Sequence, residues 1–318
     1  MPHAPHLLIP FAAAGPDCQD AMTRLALPHL ARLLSRMRRT DSDAASAQTL
    51  SPPHERALAL AWGLDAAPDG LIPWAALWAA QAGLAGRDAA WACITPCSWQ
   101  VGSDHVRMLD PQTLGLAEDE SRALLAAMQP YFAEDGITLH YDTPGRWLAS
   151  AEVFRNLATA SIDRVAGRDT HAWMPAGAQA NPLRRLQNEM QMLLYTHAVN
   201  DRRAERGAAA VNSFWISGTG TLAPGFQPAP QAAGCTVADA LRAPALAGDA
   251  HAWAQAWAAL DAGPCAQWLA WLDQGLPVVL TLCGEHAAHR HEPAASGLLG
   301  RIAAMFNANP LPQALQSL

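Results

Sequence analysis

Three histidines and two carboxylates fall between Glu285 and Glu292 in the segment Cys283-Gly-Glu-His-Ala-Ala-His-Arg-His-Glu292. Imidazole and carboxylate are ordinary ligands of divalent transition metals, and His286 and His289 at helical spacing would share one face. A second polar run holds Asn200, Arg203, Asn212, Ser217, Gly218 and Gly220. Its arginine has the planar fork that grips a phosphate with two parallel hydrogen bonds. The string Ser217-Gly-Thr-Gly-Thr221 adds hydroxyls, backbone N–H groups and tolerance of positive φ. Metal ligation and recognition of a phosphate-sized anion are therefore the two chemistries these residues suggest. A dinucleotide site is not expected, because the third glycine of that fingerprint is missing and Pro224 follows where a helix should open. Ser213, Ser217, Thr219 and Cys283 are conceivable nucleophiles, but no base is paired with any of them in the sequence.

Both runs need elements to hold them. Leu183, Leu186, Met190, Leu193, Leu194 and His197 recur at helical spacing, and Val211 to Ile216 reads as a strand running into the glycine turn. Leu276 to Leu282 has the length and apolarity of a central strand covered on both faces. In open α/β sheets ligands bind beyond the carboxyl ends of strands, which puts Glu285, His286, His289 and His291 where a site would lie.

Upstream, His6 to Phe11 predicts a first strand, and Leu27 to Leu34 a helix whose end is made basic by Arg32, Arg36, Arg38 and Arg39. Thr40 to Pro53, rich in Ser, Asp, Ala and Pro, reads as a loop or linker. Helices are expected from Pro53 to Ala85, with Trp62, Trp74 and Trp78 packed rather than displayed. Strands are expected at Ala90–Thr95, Gln100–Met108, Gly136–Tyr141 and Gly145–Leu148, with a helix over Glu118–Phe132. Trp253, Trp257, Trp268 and Trp271 fall at core positions of helices near Gly263-Pro264, because tryptophan area dominates burial. The resulting division is an N-terminal part of an α/β core over 1–89, a strand-rich middle region or cap over 90–175, and a C-terminal part of the core over 176–318.

Composition narrows the function. The formal charge of −7 argues against a nucleic-acid binder, since phosphate contacts demand a basic face. All 21 basic residues are arginines, so Schiff-base chemistry, pyridoxal phosphate anchoring and a lysine phosphate loop are excluded. The six cysteines make neither a zinc spacing nor a dense disulfide framework and read as reduced thiols of a cytoplasmic protein. The N-terminus lacks a basic residue before its short apolar stretch and carries prolines, so a signal peptide is not expected. No apolar run reaches the length of a membrane span.

The pattern His197-x-x-Asn200-x-x-Arg203-x-x-x-Gly207-x-x-x-x-Asn212-x-x-Trp215-x-x-Gly218-x-Gly220 resembles a segment of the archaeal-type, cofactor-independent phosphoglycerate mutases of the alkaline phosphatase superfamily. Leu27 to Leu33 is similar to the helix that follows the first strand there, and Leu276–Leu282 with Glu285-His286 sits where that family carries its Asp-His metal ligands. Over its whole length the chain looks most like a bacterial group of RpfE-type regulatory proteins.

The resemblance implies an alkaline-phosphatase-like central sheet flanked by helices, with a strand-containing inserted or cap region. In the active mutases it also implies two divalent metals, often manganese, and a serine phosphorylated in turn. This chain departs from the pattern at the centre. The first strand runs into Ala12-Ala13-Ala14, with Asp17 the nearest carboxylate, Glu285-His286 replaces Asp-His, and there is no lysine. Losing a ligating carboxylate removes much of the affinity for a metal pair. The expectation is a degenerate, regulatory, mutase-like protein that senses a phosphorylated metabolite through Asn200, Arg203, Asn212, Ser217, Gly218 and Gly220. The alternatives are an active manganese-dependent mutase or phosphatase rebuilt from Asp17, Glu285, His286, His289 and His291, and a protein-interaction scaffold.

Overall fold

The computed structural model describes residues 4–84, 88–294 and 311–318. The chain divides into two compact units, one from residues 1–48, 52–64 and 228–318, the other from 49–51 and 65–227.

In the first unit a mixed sheet runs in the order β2-β11-β10-β1-β9. Its strands are β1 (His6–Ile9), β2 (Met37–Ala44), β9 (Cys235–Val237), β10 (Val279–Cys283) and β11 (Ala287–Pro293). β1 pairs in parallel with β10 and β9, while β10–β11 and β11–β2 are antiparallel. Every residue of β1 and β10 is buried, as expected of strands covered on both faces. Leu7, Ile9, Leu280 and Leu282 pack with Leu30, Leu33, Trp253, Trp257 and Leu269 on one face. Leu8, Cys283 and Ala288 pack with Ala57 and Leu58 of the helix Pro53–Trp62 on the other.

Tryptophan anchors the first of these layers as the sequence suggests, with Trp253 and Trp257 fully buried and meeting edge to face at 6.3 Å. The helices Ala250–Leu260 and Ala266–Asp273 are joined by a π-helical turn over Asp261–Cys265 that takes in Pro264. The wider turn accommodates a residue with no N–H to give. Asp261 then caps a neighbouring helix, Pro28–Arg36, whose own residue at the cap position is Leu27. Its carboxylate accepts from the N–H groups of Leu30 at 2.8 Å and His29 at 3.3 Å. A negative group there satisfies orphan donors and complements the helix dipole.

In the second unit an antiparallel sheet runs β6-β7-β3-β8. Its strands are β3 (Trp91–Cys97), β6 (Thr138–Thr143), β7 (Arg146–Ser150) and β8 (Ser213–Gly220). The helices Glu118–Glu134 and Asn181–Tyr195 bring Phe132, Leu186 and Met190 onto Ile94, Trp147 and Phe214. The helix Trp74–Gln81 sets Ala75, Ala76 and Ala79 against Trp91, Cys93 and Leu148. A small hairpin of β4 (Trp99–Val101) and β5 (Val106–Met108) completes the unit.

Five expectations need correction. Gln100–Met108 is this hairpin rather than one strand, because Gly102 N–H bonds back to the His105 carbonyl and turns the chain. Thr40–Ala44 belongs to β2 rather than to a linker, and Arg38 and Arg39 lie on that strand rather than on a helix end. β2 is an edge strand with an irregular register opposite Arg290/His291, where charged residues at half of its positions are tolerated. Glu285 to Glu292 is not a helical loop. His289 and His291 sit on β11, where the strand period replaces the helical one. Ser217–Gly220 is the last part of β8 rather than a turn beyond it. No described helix is long and apolar enough to cross a membrane.

Candidate functional site

The Asn/Arg segment folds as a helix end, a cap and a short helix. His197 caps Ala198–Glu205, its Nδ1 accepting from the Val199 N–H at 3.2 Å. Asn200 and Arg203, three apart, consequently share the buried face. The Asn200 amide donates to the carbonyls of Leu194 and Val211 at 2.8 and 2.9 Å, and its oxygen accepts from Val211 N–H at 2.9 Å.

Arg203 is completely buried. Nε donates to the Ala209 carbonyl at 2.8 Å, Nη1 to Glu120 Oε2 at 2.8 Å, and Nη2 to the Leu114 carbonyl at 2.6 Å. Glu120 also takes Arg206 Nη2 at 2.7 Å and the Ala117 N–H at 3.2 Å. Burial pushes its pKa up, but the Ala117 N–H and the two arginines outweigh this, and the net shift is down. All three guanidinium nitrogens of Arg203 thus have acceptors inside the protein.

Asn212 is used in the same way. Its side-chain amide brackets the Trp99 backbone, accepting from the N–H at 2.7 Å and donating to the carbonyl at 2.8 Å. Ser217 stands opposite Cys93 across β3 and β8. Gly218 (φ +61°) and Gly220 (φ +134°) press against the start of the helix Trp74–Gln81: a Cβ on the first would lie 3.1 Å from Trp74 Cβ, and on the second 3.2 Å from Pro73 Cβ. Close helix approach therefore accounts for both glycines. The structure takes Asn200 and Arg203 into the interior, holds Asn212 half-buried against the Trp99 backbone, and leaves Ser217, Gly218 and Gly220 along a packed strand end.

The residues expected to hold manganese lie in the first unit. Asp17 is in the turn Pro16–Cys18, its Oδ2 against Gly248. Glu285 and His286 connect β10 to β11, and the His286 N–H donates to the Leu318 carbonyl at 3.0 Å. His289 is buried on β11, its Nδ1 3.4 Å from the Ser317 hydroxyl, with the His291 ring edge-on at 6.4 Å. Burial first, and the charge of Arg39 second, lower the His289 pKa. An adjacent arginine opposes a bound cation as it opposes a proton. Among the described residues no three His, Cys, Asp or Glu side chains are grouped to hold a metal ion. The donors present do not fit a two-metal centre.

The cysteines offer no activated thiol. All six are free, and burial pushes the thiols of Cys93 and Cys235 up to about 11 and that of Cys265 up to about 12.

Sequence reasoning passed over one cluster. His6, expected only as a strand residue, is 5% exposed and bonds through Nε2 to Thr281 Oγ1 at 2.8 Å. It lines a cavity of about 480 Å³ with Asp41, Asp43 and Arg290. A polar side chain at the head of an apolar strand was the available signal. A second, more open cleft of about 640 Å³ lies in the other unit beside the β4–β5 hairpin.

No family model matches the chain, and no curated protein does. Among solved structures, it is similar to the cofactor-independent phosphoglycerate mutase of Thermoplasma acidophilum DSM 1728, at 12% identity and a TM-score of 0.38 over 99% of both chains. It is also similar to the PH0037 protein of Pyrococcus horikoshii, at 11% identity and a TM-score of 0.37 over 92% of this chain and 88% of that one.

Proposed function

We propose that this chain is a mutase-like α/β protein that performs no phosphoryl transfer and acts as a regulatory, ligand- or partner-binding protein. The observation that carries this reading is the occupation of Arg203. Its guanidinium is completely buried, with each of its three nitrogens already donating to Glu120 or a backbone carbonyl, so it is not presented to a transferring phosphoryl group. Among the described residues no three His, Cys, Asp or Glu side chains come together, which supports it, because phosphoryl transfer needs charge gathered at one point. In this reading Asn200, Arg203 and Asn212 latch the fold together and are not an anion site. A regulatory ligand, including the phosphorylated metabolite expected from the sequence, would then engage other surfaces.

The test is calorimetric titration of manganese into chelator-stripped protein, followed by a phosphoglycerate turnover assay with manganese present. No saturable binding and no turnover are expected. Two-site binding at micromolar or tighter affinity together with turnover would overturn the proposal.

A further inference from the structure

The cavity beside His6 lies between the helix Pro53–Trp62 and the sheet of the first unit. Ala57 and Ala61 form the helix side and Val279 part of the sheet side. Small residues on the helix leave a slot where larger ones would have closed the gap, and apolar walls on two sides suit a flat ring.

The polar groups around the slot have fixed and opposite hydrogen-bonding characters. Asp41 stands directly across from Arg290 on β2 and β11. Its carboxylate, which can only accept, takes the Ser42 N–H at 2.8 Å. Arg290, which can only donate, is oriented by Glu292, whose Oε1 accepts from Nε and lies 3.1 Å from Nη2. On the floor, burial and then the charge of Arg290 hold the His6 imidazole neutral, with its pKa lowered to about 4.

An acceptor beside a donor on the rim is the complement of an amide-type ring edge, with N–H turned to the carboxylate and C=O to the guanidinium. The Asp41 carboxylate also disfavours a phosphate here, Asp43 being paired with Arg56 at 2.6 Å. We propose that this cavity binds a 6-oxopurine base of the guanine class, free or as its nucleoside, edge-on to Asp41 and Arg290. The proposal does not depend on whether the chain retains phosphoryl chemistry.

The experiment is calorimetric titration of guanosine into the full chain, repeated with Asp41→Asn and Ala57→Leu. Saturable micromolar-to-millimolar binding is expected, weakened about tenfold or more by either substitution. Asp41 is an exposed residue, so Asp41→Asn should leave the thermal midpoint unchanged and carries the test even if Ala57→Leu fails to fold. Adenosine, which lacks the N1–H and the 6-carbonyl, should bind at least about tenfold more weakly. Absence of saturable guanosine binding, equal binding by Asp41→Asn, or equal affinity for adenosine would each overturn the proposal.

Discussion

Arg203 Nη1 donates to Glu120 Oε2 at 2.8 Å with the two side chains 0% and 3% exposed, joining a helix end to a helix start 83 positions away. Neither charge reaches water, so each depends on the other and on the surrounding backbone. The pair closes only because Glu120 sits in the first turn of Glu118–Glu134, where the Ala117 N–H adds a further donor. A spacing that looks like ligand recognition is thus also what a buried structural arginine requires.

Removing Glu120 leaves Arg203 buried without a counter-charge, and removing Arg203 leaves the buried Glu120 with Arg206 as its one remaining cation. Arg203→Ala and Glu120→Gln should each destabilise the second unit by about 3–5 kcal/mol, while the double variant should lose much less than the sum. Urea unfolding of the four proteins measures the coupling. Additive losses would show that the two residues act independently.

The packed glycines give a second test. Gly218 has φ +61°, and a Cβ there would lie 3.1 Å from Trp74 Cβ and 3.4 Å from the Ala75 nitrogen. Gly218→Ala should therefore cost about 1–3 kcal/mol through left-handed strain and crowding of the helix. Gly145→Ala, at a position with nothing within 4 Å, serves as the control and should change little. Equal midpoints for the two variants would remove the packing explanation.

The central strands are legible because β1 and β10 are unbroken apolar runs, and the tryptophan helices because their spacing matches the core. β2 is not, since MRRTDSDA carries charge at half of its positions and only Met37 is buried. β11 hides for a different reason. His289 and His291 are polar residue types at buried positions, and only their partners across the sheet reveal the strand. The Asn200/Arg203 pattern is visible in sequence, but Glu120, which decides its role, is too distant for spacing to indicate. The cavity beside His6 is equally invisible, because β1, β2, β10, β11 and a helix contribute to it from separate parts of the chain.

Gly284 marks where the C-terminal helix Leu311–Gln316 leads into the sheet. A Cβ at this position would meet Leu318 Cβ at 2.6 Å and its carbonyl oxygen at 2.7 Å. That oxygen accepts from the N–H groups of His286 and Ala287 at 3.0 and 2.8 Å. Gly284→Ala should displace Leu318 and cost about 1–3 kcal/mol. Limited proteolysis should then cut near residues 311–318 sooner than in the parent chain, and an unchanged digestion pattern would count against the contact.

His6 should make stability depend on acid pH. Its folded pKa of about 4 lies below the ordinary 6.5, because burial first and Arg290 second penalise the imidazolium. Between these two values the unfolded chain binds the extra proton and the folded chain does not, so stability rises with pH across that window. The contribution is fully present above about pH 6.5 and fades as pH falls toward 4, amounting to about 3 kcal/mol over the whole range. His6→Gln keeps a partner for Thr281 but removes the titration. His291, also lowered to about 4 by burial and its neighbours, titrates in both proteins and drops out of their difference. Urea unfolding of parent and variant at pH 7 and pH 4.5 gives that difference directly. Most of the 3 kcal/mol should be missing from the pH dependence of the variant, and an identical pH dependence would mean that His6 is charged or hydrated in the folded protein.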